Sequence, residues 1–320
     1  MLLARAGLDR FTPRAAAILL LAANAPDCDV VSALGGSLNY LHYHRHITHS
    51  LLALPVLALA CVAVVRAIGR KPINWRGAYF IALIGVGSHL LLDLTNIYGV
   101  RILLPFSGAW LRWDITGVID FWIWAALLLA VFAPMLSDLV SGEIGAVVKS
   151  RGGARRGFAI AALVLLVLYD GGRAILHGRA AAMIESRIYG GAAPLRSGAF
   201  PLSNIFEWRG IAETAELVSV GYVDVRGGFT PSEGHIFYKP EPSPALDVAR
   251  RTTVFQEFLR FSQFPFWRVT PGEREGTTRV EVMDLRFGDP QSPGFVATAI
   301  VDANQHVRES WFQFGQARPR

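Results

Sequence analysis

The nine residues His42–Ser50, HYHRHITHS, hold four histidines and an arginine in a chain that is otherwise largely apolar. Imidazole at this density suits metal ligation or proton transfer near neutral pH. Two further groups flank it. Upstream, PDCDV places Asp27 and Asp29 directly after an apolar run; downstream, HLLLD places His89 and Asp93 four residues apart within another. On a helix such a pair projects from one face, one residue above the other, and can grip one ion or two neighbouring ions. His44 and His49 bracket Arg45 and Thr48 just ahead of the apolar stretch that opens at Ser50. Each group alone has an ordinary alternative: a His–Asp pair can satisfy itself inside a membrane, PDCD can be a solvated turn, and a histidine-rich loop can be pH-responsive or simply solvated. Their coincidence points to a metal centre built from Asp27, Asp29, His44, His49, His89 and Asp93. Imidazole ligands favour zinc, while the carboxylates leave manganese and magnesium open. WDITGVIDF adds Asp114 and Asp120 before and at the mouth of a further apolar segment, where each carboxylate could be a ligand, a general base or a helix N-cap.

The elements that must position these residues belong to a membrane. Of 320 residues, 52% are hydrophobic, more than a soluble enzyme usually carries, and they concentrate before about residue 177. Leu51–Ile68, Ala78–Ile97, Val118–Leu136 and Phe158–Ile175 are of roughly spanning length, and Pro13–Ala25 is shorter and partly embedded. The second of these carries His89, Asp93 and Asn96 on one face, as a helix lining a polar interior does. Arg14–Ala25 has the features of a signal peptide, but Pro26 follows the small-residue ending, so it is read as a retained helix. With two cysteines, one inside an apolar run, a disulfide framework is not expected.

The net charge of +6 comes from arginines and lysines clustered beside the apolar runs, which reads as membrane topology and not as nucleic-acid binding. The clusters are Arg5, Arg10 and Arg14; Arg66, Arg70, Lys71 and Arg76; and Lys149, Arg151, Arg155 and Arg156. If all three face the cytoplasm and every helix crosses, the polar groups and the C-terminal domain fall on the other side; Arg173 and Arg179 pull against this. After Glu185 the pattern alternates as strands do, in GHIFYKP, TTRVEVMDLRF and GFVATAIVDAN, with one amphipathic helix over Thr252–Phe261 and a meander from Thr278 to Phe314. The expected fold is therefore an α-helical integral membrane domain of four to five membrane helices, residues 1–177, followed by a small soluble α+β domain with an antiparallel sheet, residues 185–320. No phosphate-cradling glycine loop is present.

From Leu3 to Phe132 the chain resembles the YdjM family of membrane-bound, metal-dependent hydrolases. The resemblance rests on ARAGL and TPRAA, on APDCDV for the family's PD-x-D element, on HRHITHSLL for HR-x-x-THS, on HLLLDLTNIYG for H-x-x-x-D, and on PFSGAWLRWDITGVID. The family's Thr-His pair ahead of the ARAGL-like helix has no counterpart in MLLARAGL, so either the start is misplaced or one polar residue of the site is missing. A fainter similarity, to zinc-dependent phospholipase C and the P1-type nucleases, favours phosphoester over amide chemistry. The resulting expectation is a multi-pass hydrolase of the inner (cytoplasmic) membrane that uses metal-activated water on a phosphoester or lipid-like substrate, in contact with membrane lipid. Arg45 would pair with the substrate's anion and Asp120 would be the outside candidate for the base. The rivals are a metal-binding transporter or assembly factor without hydrolytic activity, and a structural polar network that presents the C-terminal domain to a partner. A transporter predicts hydropathy repeats and interrupted helices, which are not evident.

Overall fold

The computed structural model describes residues 1–69, 72–143 and 151–315. Arg70, Lys71 and Lys149 of the basic clusters lie outside the described residues. The helices of the first half are α1 (Leu2–Arg5), α2 (Ala15–Asn24), α3 (Ser37–Tyr43), α4 (Ala53–Ile68), α5 (Trp75–Thr95), α6 (Phe121–Glu143) and α7 (Arg151–Glu185). The chain divides into two compact units: Met1–Asp29 with Arg45–Ile175, and Val30–His44 with Leu176–Arg320.

In the first unit α2, α4 and α5 share a core of Ile18, Leu19 and Ala22, of Ala58, Cys61 and Val62, and of Ile81, Ala82 and Val86. Small residues let these helices approach. A side chain at Gly85 would begin 2.8 Å from the Ala22 methyl, so α5 can lie against the end of α2 only with glycine there. This packing places residues just after α2 beside the last turns of α5. The end of α5 is closed from outside, because Trp113 N–H donates to the Leu94 carbonyl at 2.7 Å and the N–H groups of Ile115 and Thr116 donate to Thr95 at 2.9 and 3.0 Å.

Trp75–Thr95 and Arg155–Glu185 are long and apolar enough to cross a membrane. Up to four crossings result if two bent pairs each count as one: α2 with Pro26–Gly35, bent by 42°, and Ser37–His49 with α4, bent by 83°. The apolar runs around α2 and α4 thus fold as helices of 10 and 16 residues, with breaks beside them. Pro26 has no N–H to continue the α2 ladder, which fits the first break. Both breaks carry the polar motifs.

The second unit contains two four-stranded antiparallel sheets in meander order: β1 (Arg196–Pro201), β2 (Glu207–Glu213), β3 (Leu217–Asp224) and β4 (His235–Tyr238), then β5 (Pro265–Pro271), β6 (Thr278–Asp284), β7 (Phe295–Val301) and β8 (Val307–Phe314). Between them run α8 (Pro244–Arg250) and α9 (Thr253–Phe261). The β1–β4 sheet is less visible in sequence because Leu217–Gly221 of β3 is buried on both faces and so does not alternate. The end of α7 covers that sheet, with Ala180 and Ile184 packed on Trp208, Val223 and Phe229.

Residues 30–44 fold with this unit. On α3, Ser37 Oγ donates to the Phe312 carbonyl, the Tyr40 ring meets Phe314 edge-on at 5.8 Å, and His42 Nδ1 lies 2.7 Å from Glu257 Oε2. Burial pushes the Glu257 carboxyl up, but the His42 hydrogen bond and the charges of His42 and Arg260 outweigh it and leave it below the usual carboxylate range.

Candidate metal centre

His49 ends a short turn, Ile47–His49, whose following Ser50 hydroxyl donates to the Ile47 carbonyl at 2.8 Å and accepts from Ala53 N–H at 3.1 Å. The turn drives the fully buried His49 ring between the end of α2 and the last two turns of α5. There it meets Asp27, His89 and Asp93.

The outward nitrogens fix which inward atoms carry lone pairs. His89 Nδ1 is 2.8 Å from the Ala23 carbonyl, which can only accept, so Nδ1 holds the proton. His49 Nδ1 is 3.1 Å from Asp29 Oδ2 and 3.1 Å from Thr48 Oγ1, and the Thr48 hydroxyl proton is given to Asp29 at 2.8 Å. His49 Nδ1 is therefore also a donor. In the neutral rings both Nε2 atoms then point bare lone pairs inward, 3.3 Å apart. Asp93 Oδ2 is 3.3 Å from each, and Asp27 Oδ1 is 3.4 Å from His49 Nε2 and 3.6 Å from His89 Nε2. Asp93 Oδ2 is within ion-pair distance of both rings yet buried without a hydrogen bond, as expected when both ring N–H groups point elsewhere.

With both rings neutral, four acceptor atoms thus converge. A cation at the centre, a metal ion or a proton on one ring, turns their mutual repulsion into attraction. The spacing also fits: donor pairs 3.3–3.6 Å apart are what tetrahedral coordination at bond lengths of about 2.0–2.2 Å gives, the ordinary range from zinc-like ions to imidazole and carboxylate. Asp27, His49 and His89 form a group that could hold a metal ion, and Asp93 shares their focus.

Asp29 stands behind the His49 ring. Besides His49 and Thr48, its Oδ2 accepts from Arg45 N–H at 2.9 Å, the arrangement by which a carboxylate orients a ligating imidazole. Arg45, in the left-handed region at φ 57°, turns its guanidinium inward. It reaches Asp93 Oδ1 at 2.8 Å, Asn96 Oδ1 at 2.9 Å and the Gly99 carbonyl at 3.1 Å, and lies 4.8 Å over the Tyr98 ring. His44 is buried in the second unit, stacked on Tyr40 at 4.5 Å. Asp120 caps α6, accepting from Trp122 and Ile123 N–H, and bonds the Tyr169 hydroxyl. Asp114 is held by Arg112 at 2.9 Å. The carbonyls of Ala23 and Gly99 were not foreseeable, since nothing in a residue's type announces that its backbone oxygen will set a tautomer or seat a guanidinium.

Residues 1–180 match the family model described as YdjM inner membrane protein. The chain belongs to the YdjM family. Residues 244–316 of this YdjM-family protein match a second model, the YfhP C-terminal alpha/beta plait domain. Along most of its length it is similar to a Bacillus subtilis (strain 168) protein described as uncharacterized protein YfhP, 24% identical over 299 residues that cover 91% of this chain and 83% of the relative. No solved structure matches. The family and the apolar helices make this a membrane protein, with aspartate and histidine side chains grouped where a metal could bind.

Proposed function

We propose that this YdjM-family protein is a metal-dependent hydrolase of the inner membrane that cleaves a phosphoester of a lipid-like substrate. The observation that carries the reading is the convergence of Asp27 Oδ1, His49 Nε2, His89 Nε2 and Asp93 Oδ2, with the Nδ1 atom of each ring held from outside by an acceptor. Zinc is supported by two imidazoles and by donor spacings that match tetrahedral bond lengths; manganese and magnesium would ask for more oxygen donors. Bound there, the ion supplies a Lewis acid and a water acidified toward a pKa of about 7.

The remaining work falls to the chain. Asp29 and the Ala23 carbonyl hold the two rings in the tautomer that faces inward, and Asn96 and Arg45 hold the outer oxygen of Asp93. With its guanidinium already committed, Arg45 enters this reading through Asp93 and not as a partner for the substrate's anion. A lipid-like substrate is supported by position, since His89 and Asp93 occupy the last two turns of a spanning helix and so lie near one membrane face. Leu51, Leu52 and Val56, beside the His49 turn, are exposed and apolar. The test is a panel of lipid phosphoesters offered to zinc-replete protein in bilayers. Cleavage should stop with a chelator, return with zinc, and be absent in His89→Ala. Tight metal binding with no cleavage, and movement of the ion across vesicles, would replace this reading with the transporter one.

For orientation we propose a multi-pass protein whose C-terminal domain lies outside the cytoplasm. The basic residues Arg5, Arg10, Arg14, Arg66 and Arg76 support it. Arg173 no longer opposes it, being buried within α7 and bonded to the Ile115 carbonyl at 2.8 Å. A reporter fused after Arg320 should therefore be active only as an extracytoplasmic enzyme, and one placed near Arg151 only as a cytoplasmic enzyme; the reverse pattern moves the site to the other face.

A further inference from the structure

We infer that Asp27 is the exchangeable donor of the metal centre: His49, His89 and Asp93 hold the ion, while the Asp27 carboxylate gives up its place to an oxygen ligand arriving from outside. This rests on the metal reading above. Exposure divides the four donors. The side chains of His49, Asp93 and His89 are 0%, 8% and 14% exposed, whereas Asp27 is 47% exposed. Among the described donors, Asp27 is the corner most open to water or a phosphate oxygen.

Tethering divides them the same way. His49 is held from behind by Asp29 and Thr48, His89 by the Ala23 carbonyl, and Asp93 by Arg45. Among the described residues, the Asp27 carboxylate receives no hydrogen bond from a backbone N–H, a hydroxyl or a guanidinium; its neighbours are the two imidazole Nε2 atoms at 3.4 and 3.6 Å. The backbone agrees. His89 and Asp93 sit on a regular helix and His49 in a turn closed by Ser50, but Asp27 lies in the 3-10 stretch Pro26–Gly35 that begins at the α2 bend. Its two edges, 3.4 and 3.6 Å, are also the longest measured among the donors, against 3.3 Å for the other three. Structural zinc sites close with four protein ligands, while catalytic ones keep three and leave the fourth position to solvent or substrate. An exposed, untethered fourth carboxylate combines the two: it shields the ion at rest and yields when an oxygen ligand competes. Once displaced, it remains at the point of entry as a carboxylate able to accept a proton from incoming water.

The experiment compares full-length wild type with Asp27→Asn and Asp93→Asn in detergent, by elemental analysis and by the visible spectrum after cobalt(II) loading. Asp27→Asn should keep about one equivalent of metal with no more than about a tenfold loss of affinity, where Asp93→Asn loses about a hundredfold or more. Its cobalt bands should shift, as they do when a water oxygen takes the place of a carboxylate. Inorganic phosphate should also shift the wild-type bands. If Asp27→Asn, folded by circular dichroism, loses metal as fully as Asp93→Asn, the centre is closed and this inference fails while the metal reading stands. Unchanged cobalt bands in Asp27→Asn would overturn it too. If wild type binds no metal, the metal reading falls and takes this inference with it.

Discussion

Alanine at His49 should empty the metal centre. Wild type purified without chelator is expected to carry about one zinc-like ion per chain, and His49→Ala less than about a tenth of that, an affinity loss of at least ~100-fold. The size follows from where His49 stands. Its Nε2 lies 3.3–3.4 Å from each of the other three donors, so its loss removes one corner of the set and leaves Asp93 facing Asp27 across a gap. The change also removes one partner of the buried Asp29 Oδ2, the ring that meets it at 3.1 Å, and leaves it to the Thr48 hydroxyl and the Arg45 N–H. Elemental analysis of purified protein measures this directly, with His89→Ala as the companion. Stoichiometric metal in both His49→Ala and Asp93→Ala would end the proposal.

The second large effect should come from Arg45, through stability and not through ligand count. Arg45→Met keeps the apolar stem but removes the charge that faces Asp93 Oδ1 at 2.8 Å, leaving that oxygen of a buried carboxylate to the Asn96 amide alone. Breaking one side of a buried pair costs about 3–5 kcal/mol. Lysine should recover only part of it, because one ammonium cannot reach Asp93, Asn96 and the Gly99 carbonyl in the fixed fork that guanidinium provides. Bound zinc should restore part of the loss in Arg45→Met, since a dication on the inner oxygen of Asp93 offsets the missing charge on the outer one. Thermal unfolding in detergent with and without zinc tests both statements. A loss below about 1 kcal/mol without metal would show that Asp93 does not depend on Arg45.

The site was legible where covalent geometry alone decides it. His89 and Asp93 are four apart on a helix, so their convergence follows from the helical repeat. Asp27 and His49 could be named by type but not by distance, because their meeting depends on how closely α2 approaches α5 at Gly85. Asp29 and Arg45 read as ligand and substrate clamp; the turn that places Asp29 behind the ring, and the positive φ that folds Arg45 inward, are tertiary facts. The fold divides likewise. The helix expected over Thr252–Phe261 is α9 to within one residue, whereas the bends beside α2 and α4 are hidden inside continuous apolar runs.

The docking of α3 has a consequence for biosynthesis. Ser37 finds its acceptor at Phe312, 275 residues later, and Tyr40 its ring partner at Phe314, in the last strand. The chain leaves the ribosome N-terminus first, at about 5–20 residues per second, so α3 must wait tens of seconds for the strand that receives it. Asp29 and Arg45 flank the waiting stretch. The loop joining them therefore lacks its Phe312 and Phe314 partners for nearly the whole of translation. The histidine-rich segment from His42 to His49 is thus made early, while the strand that receives α3 is among the last parts of the chain to emerge.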